Sequence, residues 1–169
     1  PTDNCPMVLV SWHDAMAYAQ WAGKTLPTEA QWEKAVRGGL VQKDYPNGDS
    51  ISHKEANFIS GPTLGLTAGQ TVPVNRYRPN GYGLHNMAGN VWEWCLDHYD
   101  KKYYERSPER NPLYVDEKSA PNKDRVLRGG SFNEDNFDDH VLRCAYRNHV
   151  PPSTKDIALG FRCVMKVPE

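Results

Sequence analysis

Helical patterning in this chain is confined to the first 39 residues, and this asymmetry constrains the fold more than any other sequence feature. Ser11 with Asp14 and Thr28 with Gln31 form two capping boxes, the reciprocal side-chain and backbone pattern that begins a helix. Apolar residues at helical spacing follow each box, and a glycine such as Gly23 ends the pattern. The sequence therefore predicts two short helices near the N-terminus. Their apolar stripes are Ala15, Tyr18, Ala19 and Ala22, and then Trp32, Ala35 and Val36.

From residue 40 onward the sequence favours turns, short strands and irregular structure. Glycine and proline (13 each) make up 26 of the 169 residues, about 15% against a usual ~12%. Residues 45–71 have no helical or strand period, and residues 101–124 form a charged, proline-containing surface excursion. The fold class is therefore α+β in a single domain over residues 1–169, with high irregular content. Short strands or apolar stretches are expected at 7–10, 91–96, 125–127, 141–146 and 161–167.

Charge balance and hydropathy exclude several functional classes. The chain has 20 Lys and Arg against 21 Asp and Glu, for a formal net charge of −1. It therefore has no basic excess with which to bind nucleic acid. No apolar run approaches the ~20 residues needed to cross a bilayer. Aromatic residues make up 11% of the chain, which favours a packed core over disorder. Nothing in these numbers fixes the cellular compartment.

The segment 86–94 is the first of two clusters that point to chemistry. Asn86 and Glu93 offer side-chain oxygens seven residues apart, with a glycine between them. Calcium takes six to eight oxygen ligands, including backbone carbonyls, so a loop of this kind suits that cation. In the alternative, Glu93 forms a cap or a salt bridge while Trp92 and Trp94 fill the core.

The second cluster, residues 133–140, holds four carboxylates within six positions. Such a run is able to gather a divalent metal ion. In the alternative, it is a solvated loop whose like charges repel one another and extend it. The sequence elsewhere lacks a nucleophile elbow, a phosphate-binding loop and an HExxH pair, and its six histidines are scattered.

Short motifs run through the chain in a fixed order between residues 8 and 163. They are Val10-Ser11-Trp12, Leu26-Pro27-Thr28-Glu29-Ala30-Gln31-Trp32-Glu33, Asn80-Gly81-Tyr82-Gly83-Leu84, Gly89-Asn90-Val91-Trp92-Glu93-Trp94, Arg128-Gly129-Gly130-Ser131, Arg143-Cys144-Ala145-Tyr146-Arg147 and Leu159-Gly160-Phe161-Arg162-Cys163. In content and order they resemble the formylglycine-generating enzyme (sulfatase-modifying factor) family. The resemblance implies the family's variant of the C-type lectin fold.

The resemblance covers only the C-terminal portion of a typical family domain. The opening strands of the family have no counterpart before Pro1. We therefore expect another polypeptide, or a removed segment, to supply them.

The departures from the family are as informative as the matches. Members that make formylglycine carry two cysteines just after the Arg-Gly-Gly-Ser motif, and their thiolates bind copper and drive oxidation of a substrate cysteine. The resemblance puts Glu134 and Asp139 at these two positions. Soft thiolates suit Cu(I) and hard carboxylates do not. Copper and the formylglycine reaction are therefore not expected here.

The resemblance also bears on the cysteines. In secretory family members, the equivalents of Cys144 and Cys163 form disulfides with cysteines of the two N-terminal helices. The partner positions are occupied here by Val36 and Ala19. The resemblance therefore implies that both cysteines are buried free thiols.

One family calcium site is retained and a second is degraded. The second begins at residues 57–58 and expects an acid in the following loop, but residues 60–70 contain none, so we expect it to be empty or degenerate. A single structural Ca²⁺ is therefore expected, at the first site. Its implied ligands are the side chains of Asn86 and Glu93 and the backbone carbonyls of Gly89 and Val91.

Two functional hypotheses follow. In the first, the chain is a non-catalytic, calcium-stabilised module that binds a protein or other ligand, or acts as a subunit of a larger assembly. Trp92, Ser131 and Phe132 then form the ligand groove, because aromatic side chains provide rigid contact area. The loops 131–140 and 148–157 flank this groove.

In the second hypothesis, the chain is an enzyme of the same family with non-copper oxidoreductase chemistry on an amino acid or peptide. Glu134, Asp139 and His140 then form a metal site with oxygen and nitrogen ligands, or supply a general base.

Overall fold

The computed structural model describes residues 4–59, 69–116, 122–134 and 141–165. Within these residues it confirms an α+β fold, with two helices ahead of four short strands. The elements are α1 (Trp12–Trp21), α2 (Glu29–Arg37), β1 (Trp92–His98), a 3₁₀ turn (Tyr103–Glu105), β2 (Arg125–Arg128), β3 (Asn148–Val150) and β4 (Leu159–Gly160). Neither helix of the described part has the length and apolar character needed to cross a membrane.

Both helices begin at the predicted capping boxes. Ser11 Oγ accepts the Asp14 N–H at 3.1 Å, and the Asp14 carboxylate accepts the Ser11 N–H at 2.8 Å. Thr28 and Gln31 exchange the same two bonds at 3.1 and 2.9 Å. α2 ends at Gly38, whose φ of 55° is left-handed. Each cap stabilises its helix by about 1 kcal/mol, so local chemistry sets these helix ends.

The described strands form one sheet in the order β3-β2-β1-β4. β1 is antiparallel to β2, with Trp94 opposite Leu127, and parallel to β4, with Trp92 opposite Leu159. β2 and β3 are antiparallel. Because β1 has a strand on each side and packs against α2, six of its seven residues are buried. The core is therefore centred on β1, which confirms the apolar run predicted at 91–96.

An ion network built from motif residues lies buried behind α2. The guanidinium of Arg128 is fully buried and donates to Glu33 at 2.5 Å and to two backbone carbonyls. It also lies 3.6 Å from Glu29. Arg147 donates to both carboxylate oxygens of Glu29, at 2.6 and 2.7 Å. The network joins α2 to β2 and to residue 147, so it fixes the turn that follows β2.

Residues 7–10 do not form the predicted strand. Leu9 has a φ of 59°, which interrupts an extended backbone, and its N–H donates to the Asp156 carbonyl at 3.0 Å. The apolar run in this segment therefore reflects contact with the C-terminal part of the chain and not membership of the sheet.

The C-terminal strand predictions also need correction. β4 ends at Gly160, and beyond it Val164 forms an isolated bridge with Thr25. Residues 166–167 lie outside the described residues. The stretch 141–146 forms turns, and the strand comes just after it as β3. The strand predicted at 125–127 is confirmed by β2.

Cys144 and Cys163 are both free thiols. Cys144 is buried in the same apolar cluster as Val36. The resemblance implies that Val36 stands at the position where secretory family members carry the disulfide partner of Cys144. Burial raises the pKa of the Cys144 thiol to about 11, which makes it unreactive at neutral pH. Cys163 is only half-buried.

Candidate metal centre and ligand groove

The loop that leads into β1 is curled by three left-handed residues. Asn86, Gly89 and Asn90 have φ values of 50°, 73° and 69°. A Cβ on Gly89 would lie 2.3 Å from the Asn57 carbonyl oxygen, so the close approach of these two segments requires glycine. Asn90 then fixes the loop by bonding both the N–H (2.9 Å) and the carbonyl (3.2 Å) of Val72.

Several oxygens of this loop have no hydrogen-bond donor among the described residues. The Oδ1 atom of Asn86 is buried without a partner there, while its Nδ2 donates to the Pro73 carbonyl at 3.1 Å. The carbonyls of Gly89 and Val91 likewise receive no hydrogen bond from described residues. Buried acceptors are normally satisfied, so these three oxygens are available to bind a cation or a water molecule.

Glu93, the fourth implied ligand, is 5% exposed and already engaged. Its Oε2 accepts the Trp32 indole N–H at 2.6 Å and Arg162 Nε at 2.5 Å, and its Oε1 accepts a second Arg162 nitrogen at 2.6 Å. Oε1 keeps one lone pair for a further partner. Glu93 therefore forms a salt bridge with Arg162, and Trp94, with no exposed surface, lies in the core. Neither contact tests the calcium prediction.

A pocket of about 350 Å³ lies at this loop. The described residues bring together no group of three His, Cys, Asp or Glu side chains. A cation here would therefore depend on amide and carbonyl oxygens, which are ligands that calcium accepts. The pocket is lined by Pro6, Val74, Gly83, Leu84, His85, Asn86, Asn90, Val91, Glu93, Phe161 and Arg162.

Glu134 is the residue that the sequence resemblance puts at the position of the first family thiolate. Its Oε1 accepts the Trp92 indole N–H at 2.8 Å. Its backbone N–H donates to the Ser131 carbonyl, and its carbonyl accepts the Ile59 N–H at 3.0 Å. The carboxylate is therefore held in place by side-chain and backbone contacts. Asp139 and His140, the other two residues of the enzyme hypothesis, lie outside the described residues.

A separate groove of about 490 Å³ passes beside Phe132. Phe132, although only 3% exposed, is the predicted groove residue found among its lining, whereas Trp92 and Ser131 are absent from that lining. Ile157 belongs to the loop 148–157 that was predicted to flank the groove, whereas sequence analysis missed Cys5, because no local pattern brings residue 5 to this place. The full lining is Cys5, Pro6, Val8, Gly69, Gln70, Thr71, Pro73, Phe132 and Ile157.

Sequence analysis also missed a buried carboxylate on β1. Asp97 accepts the N–H of Glu29 at 2.7 Å and of Tyr114 at 3.0 Å, and so ties α2 to the loop after the 3₁₀ turn. Burial raises the pKa of Asp97 to about 6. An Asp facing inward on a buried strand is the signal that would have found it, since such a residue needs buried donors.

The chain belongs to the sulfatase-modifying factor enzyme 1-like domain family, whose profile matches residues 1–167. Its fold is the C-type-lectin-like fold of that family. The PvdO structure from Pseudomonas aeruginosa superposes with a TM-score of 0.75 at 26% identity, over 94% of this chain and 60% of PvdO.

Among curated proteins, the chain is 44% identical over 168 residues to the formylglycine-generating enzyme of Streptomyces coelicolor. That match covers 95% of this chain and 52% of the enzyme, so the chain spans about half the length of this relative. It is also 43% identical over 162 residues to the serine/threonine-protein kinase pkn1 of Chlamydia caviae, over 96% of this chain and 24% of that protein.

Proposed function

We propose that the chain is a non-catalytic, calcium-stabilised module of this family that binds a protein or other ligand as part of a larger assembly. The observation that carries the proposal is the carboxylate of Glu134 at the first thiolate position, held by the Trp92 indole at 2.8 Å. A carboxylate is a hard ligand that does not replace a thiolate toward Cu(I). The second thiolate position is Asp139, so neither ligand of the copper chemistry is present.

The calcium part of the proposal rests on the oxygens left without donors around the 350 Å³ pocket. Asn86 Oδ1 and the carbonyls of Gly89 and Val91 would hold the cation, with the remaining lone pair of Glu93 Oε1. A bound Ca²⁺ would tie the loop to β1 and neutralise the charge that Arg162 already balances in part. Its role is structural, since it lies at the loop entering β1 and not at Glu134.

The binding part of the proposal rests on the groove beside Phe132 and on the size of the relatives. A groove of about 490 Å³ with mainly apolar lining suits a peptide side chain or a small ligand. The similar region makes up only 24% of the protein named as a kinase. A module of this kind is therefore found within larger polypeptides, which supports a partner for this one.

Copper binding and turnover test the proposal directly. The protein is titrated with Cu(I) in the presence of a competing chelator, and then incubated aerobically with a cysteine-containing sulfatase peptide that is analysed by mass spectrometry. We expect no high-affinity copper and no loss of mass at the peptide cysteine. The Streptomyces coelicolor enzyme serves as the positive control.

A matched variant sharpens the result. Glu134→Cys with Asp139→Cys restores both thiolate positions, and we expect it to gain Cu(I) affinity. Copper binding or peptide oxidation by the unchanged chain would contradict the proposal. Oxidation of the peptide without bound copper would favour the enzyme hypothesis, with Glu134, Asp139 and His140 as its residues.

A further inference from the structure

A further pocket, of about 580 Å³, lies along one face of α2. It shares no lining residue with the groove beside Phe132 or with the pocket at the calcium loop. Two alanines and a tyrosine form part of its wall, and four charged side chains complete the described lining. We refer to it as the α2 pocket. Its lining residues are Ala30, Glu33, Lys34, Arg37, Tyr104, Ala145 and Arg147.

The α2 pocket is positively charged. Three cations and one carboxylate, that of Glu33, line it, so the lining has an excess of two positive charges. The buried pair of Glu29 and Arg128, which belongs to the same ion network, adds no net charge. In an adjoining pocket, which shares part of this lining, the charges of Glu109 and Arg110 also cancel. A concave surface with an excess of one sign of charge concentrates ligands of the opposite sign.

The cations of the α2 pocket have donors to spare. An arginine carries five N–H groups. Arg37 donates three of them, to Glu33 and to a backbone carbonyl. Arg147 likewise donates three, to Glu29 and to a backbone carbonyl. Lys34 is exposed and forms no hydrogen bond or ion pair with the described residues. Two N–H groups of each arginine and the ammonium group of Lys34 are therefore available to an anion.

Arg147 is held in place beside an aromatic ring. Its guanidinium carbon lies 4.7 Å from the centroid of the Tyr104 ring and 5.0 Å from that of Tyr99. It also bonds both carboxylate oxygens of Glu29, at 2.6 and 2.7 Å. Because these contacts fix the side chain before a ligand arrives, binding loses little conformational entropy at this residue. The Tyr104 ring, at 44% exposure, is accessible to a ligand in the pocket.

The charge and the lining together indicate a class of ligand. A phosphate monoester carries a charge of about −1.5 to −2 at neutral pH and three acceptor oxygens, which suit a lining with three cations and an excess of two positive charges. The planar fork of an arginine matches phosphate oxygens. The ring of Tyr104 and the two alanines suit an aromatic or apolar group. We propose that the α2 pocket binds a phosphate monoester that carries such a group.

Phenyl phosphate is the probe for the α2 pocket. Phenyl sulfate is its matched control, since it has a similar shape but a single negative charge. Each compound is titrated into the intact chain at constant ionic strength, and the backbone amide signals are followed by NMR. For phenyl phosphate we expect saturable shifts at residues 30–37 and at Tyr104, with a Kd of about 1 mM or below. Phenyl sulfate should bind about fivefold more weakly or worse, because it has one charge fewer.

A matched pair of lysine variants tests the cation. Lys34→Gln removes the unpaired ammonium group from the pocket and should weaken phenyl phosphate binding by about fivefold or more. Lys54→Gln removes an exposed lysine that does not line the pocket and should change the Kd by less than about twofold. Both side chains are exposed, so the Tm should stay that of the parent chain.

Tyr104→Ala tests the aromatic wall. The parent chain should bind phenyl phosphate more tightly than inorganic phosphate, because the phenyl ring contacts Tyr104. We expect the variant to lose this preference while its affinity for inorganic phosphate stays within about twofold. A general disturbance of the pocket would instead weaken both ligands equally, and that result would contradict the aromatic contact.

A capped tripeptide with phosphotyrosine at its centre distinguishes two sources of such a ligand. Tighter binding of the peptide than of phenyl phosphate supports a phosphorylated side chain of a protein, and weaker binding supports a free small ester. The inference is wrong if neither compound saturates the protein at about 10 mM, if phenyl sulfate binds as tightly as phenyl phosphate, or if Lys34→Gln leaves the Kd unchanged. None of these results depends on copper, calcium or the groove beside Phe132. Failure here is therefore distinct from failure of the proposed function.

Discussion

The two helices of this molecule begin in the same way and end in different environments. Both begin with a complete capping box, and they are 10 and 9 residues long. α2 buries Glu29, Trp32 and Val36 against the sheet and the ion network, whereas α1 leaves Tyr18 and Trp21 exposed. Side-chain capping therefore determines where each helix begins, and tertiary packing determines which of its side chains are buried. Ion pairs cover the α2 side of the molecule, whereas large aromatic side chains on the α1 side are exposed to solvent.

The largest expected effect is loss of the arginine that closes the α2 side. Arg128→Met removes the fully buried donor to Glu33 and to two backbone carbonyls, while Glu33 keeps its pair with Arg37. Breaking a buried ion pair from one side costs about 3–5 kcal/mol, and we expect this loss in the free energy of unfolding by urea. The exposed Arg78→Met is the matched control and should change stability by no more than about 0.5 kcal/mol.

Exposed ion pairs contribute less than about 1 kcal/mol. A decrease of that size in the unfolding free energy of Arg128→Met would contradict the difference drawn between the two helices. The ion network would then be no stronger than an exposed salt bridge, and α2 would be held by apolar packing alone.

The second-largest expected effect is a pH dependence of the unfolding free energy, which arises from Asp97 on the α2 side of the molecule. The pKa of Asp97 is about 6 in the folded chain, because it is buried, against ~3.9 for an ordinary Asp. The folded state then binds the proton more tightly than the unfolded state. This difference in pKa adds about 3 kcal/mol to the free energy of unfolding below about pH 4. That contribution is lost as the pH rises through about 6.

Asp97→Asn tests this pH dependence. The variant loses a hydrogen-bond acceptor, but its unfolding free energy should fall less between pH 4 and pH 6.5 than that of the unchanged chain. Asp44→Asn, at an exposed position, should keep the original slope. Parallel slopes for all three proteins would show that Asp97 is not the titrating group.

These first two effects also show what the sequence could and could not predict. The helices, their caps and the apolar run 91–96 follow from residues close together in the chain; the helices and caps are confirmed, and most of that run lies in the buried strand β1. Arg128 and Asp97 depend on partners 68 or more positions away, such as Glu29 and Glu33, so no local pattern signals their roles.

The candidate site divides in the same way. The loop 86–93 could be proposed as a site from the sequence because its oxygens and glycine lie within eight residues, and its calcium stays a prediction. The strand at 7–10 was wrong because the left-handed backbone of Leu9 has no sequence signal in a bulky residue. The contribution of Cys5 to the groove could not be predicted, since it depends on how the chain ends meet.

A smaller effect is expected at the calcium loop. Asn86→Gly removes the amide oxygen, tolerates the left-handed φ of 50° and leaves the pair of Glu93 with Arg162 intact. The proposed calcium would contribute about 2–3 kcal/mol at a hundredfold excess over its Kd. We expect EDTA to lower the Tm of the unchanged chain and to have no effect on this variant.

Asn86→Asp is the matched control for the calcium loop. It keeps an oxygen at the same place and adds a charge, so it should retain the response to EDTA. If the Tm of the parent chain is the same with and without EDTA, the prediction of a structural calcium at this loop is wrong.

The smallest effect is expected on the α1 side. Trp21→Ser in α1 should change the free energy of unfolding by less than about 0.5 kcal/mol, because the side chain is 81% exposed. Trp32→Ala in α2 removes a side chain that is 1% exposed and should cost about 3–5 kcal/mol. Equal costs at the two tryptophans, read from urea unfolding, would remove the contrast between the helices.

The central claim is that this chain keeps the family's structural calcium and has lost its copper chemistry. Elemental analysis of the protein, purified without chelators and then dialysed against metal-free buffer, tests it most directly. The account predicts calcium in stoichiometric amount, with copper and iron at trace level. Stoichiometric copper or iron, or the absence of calcium, would contradict it.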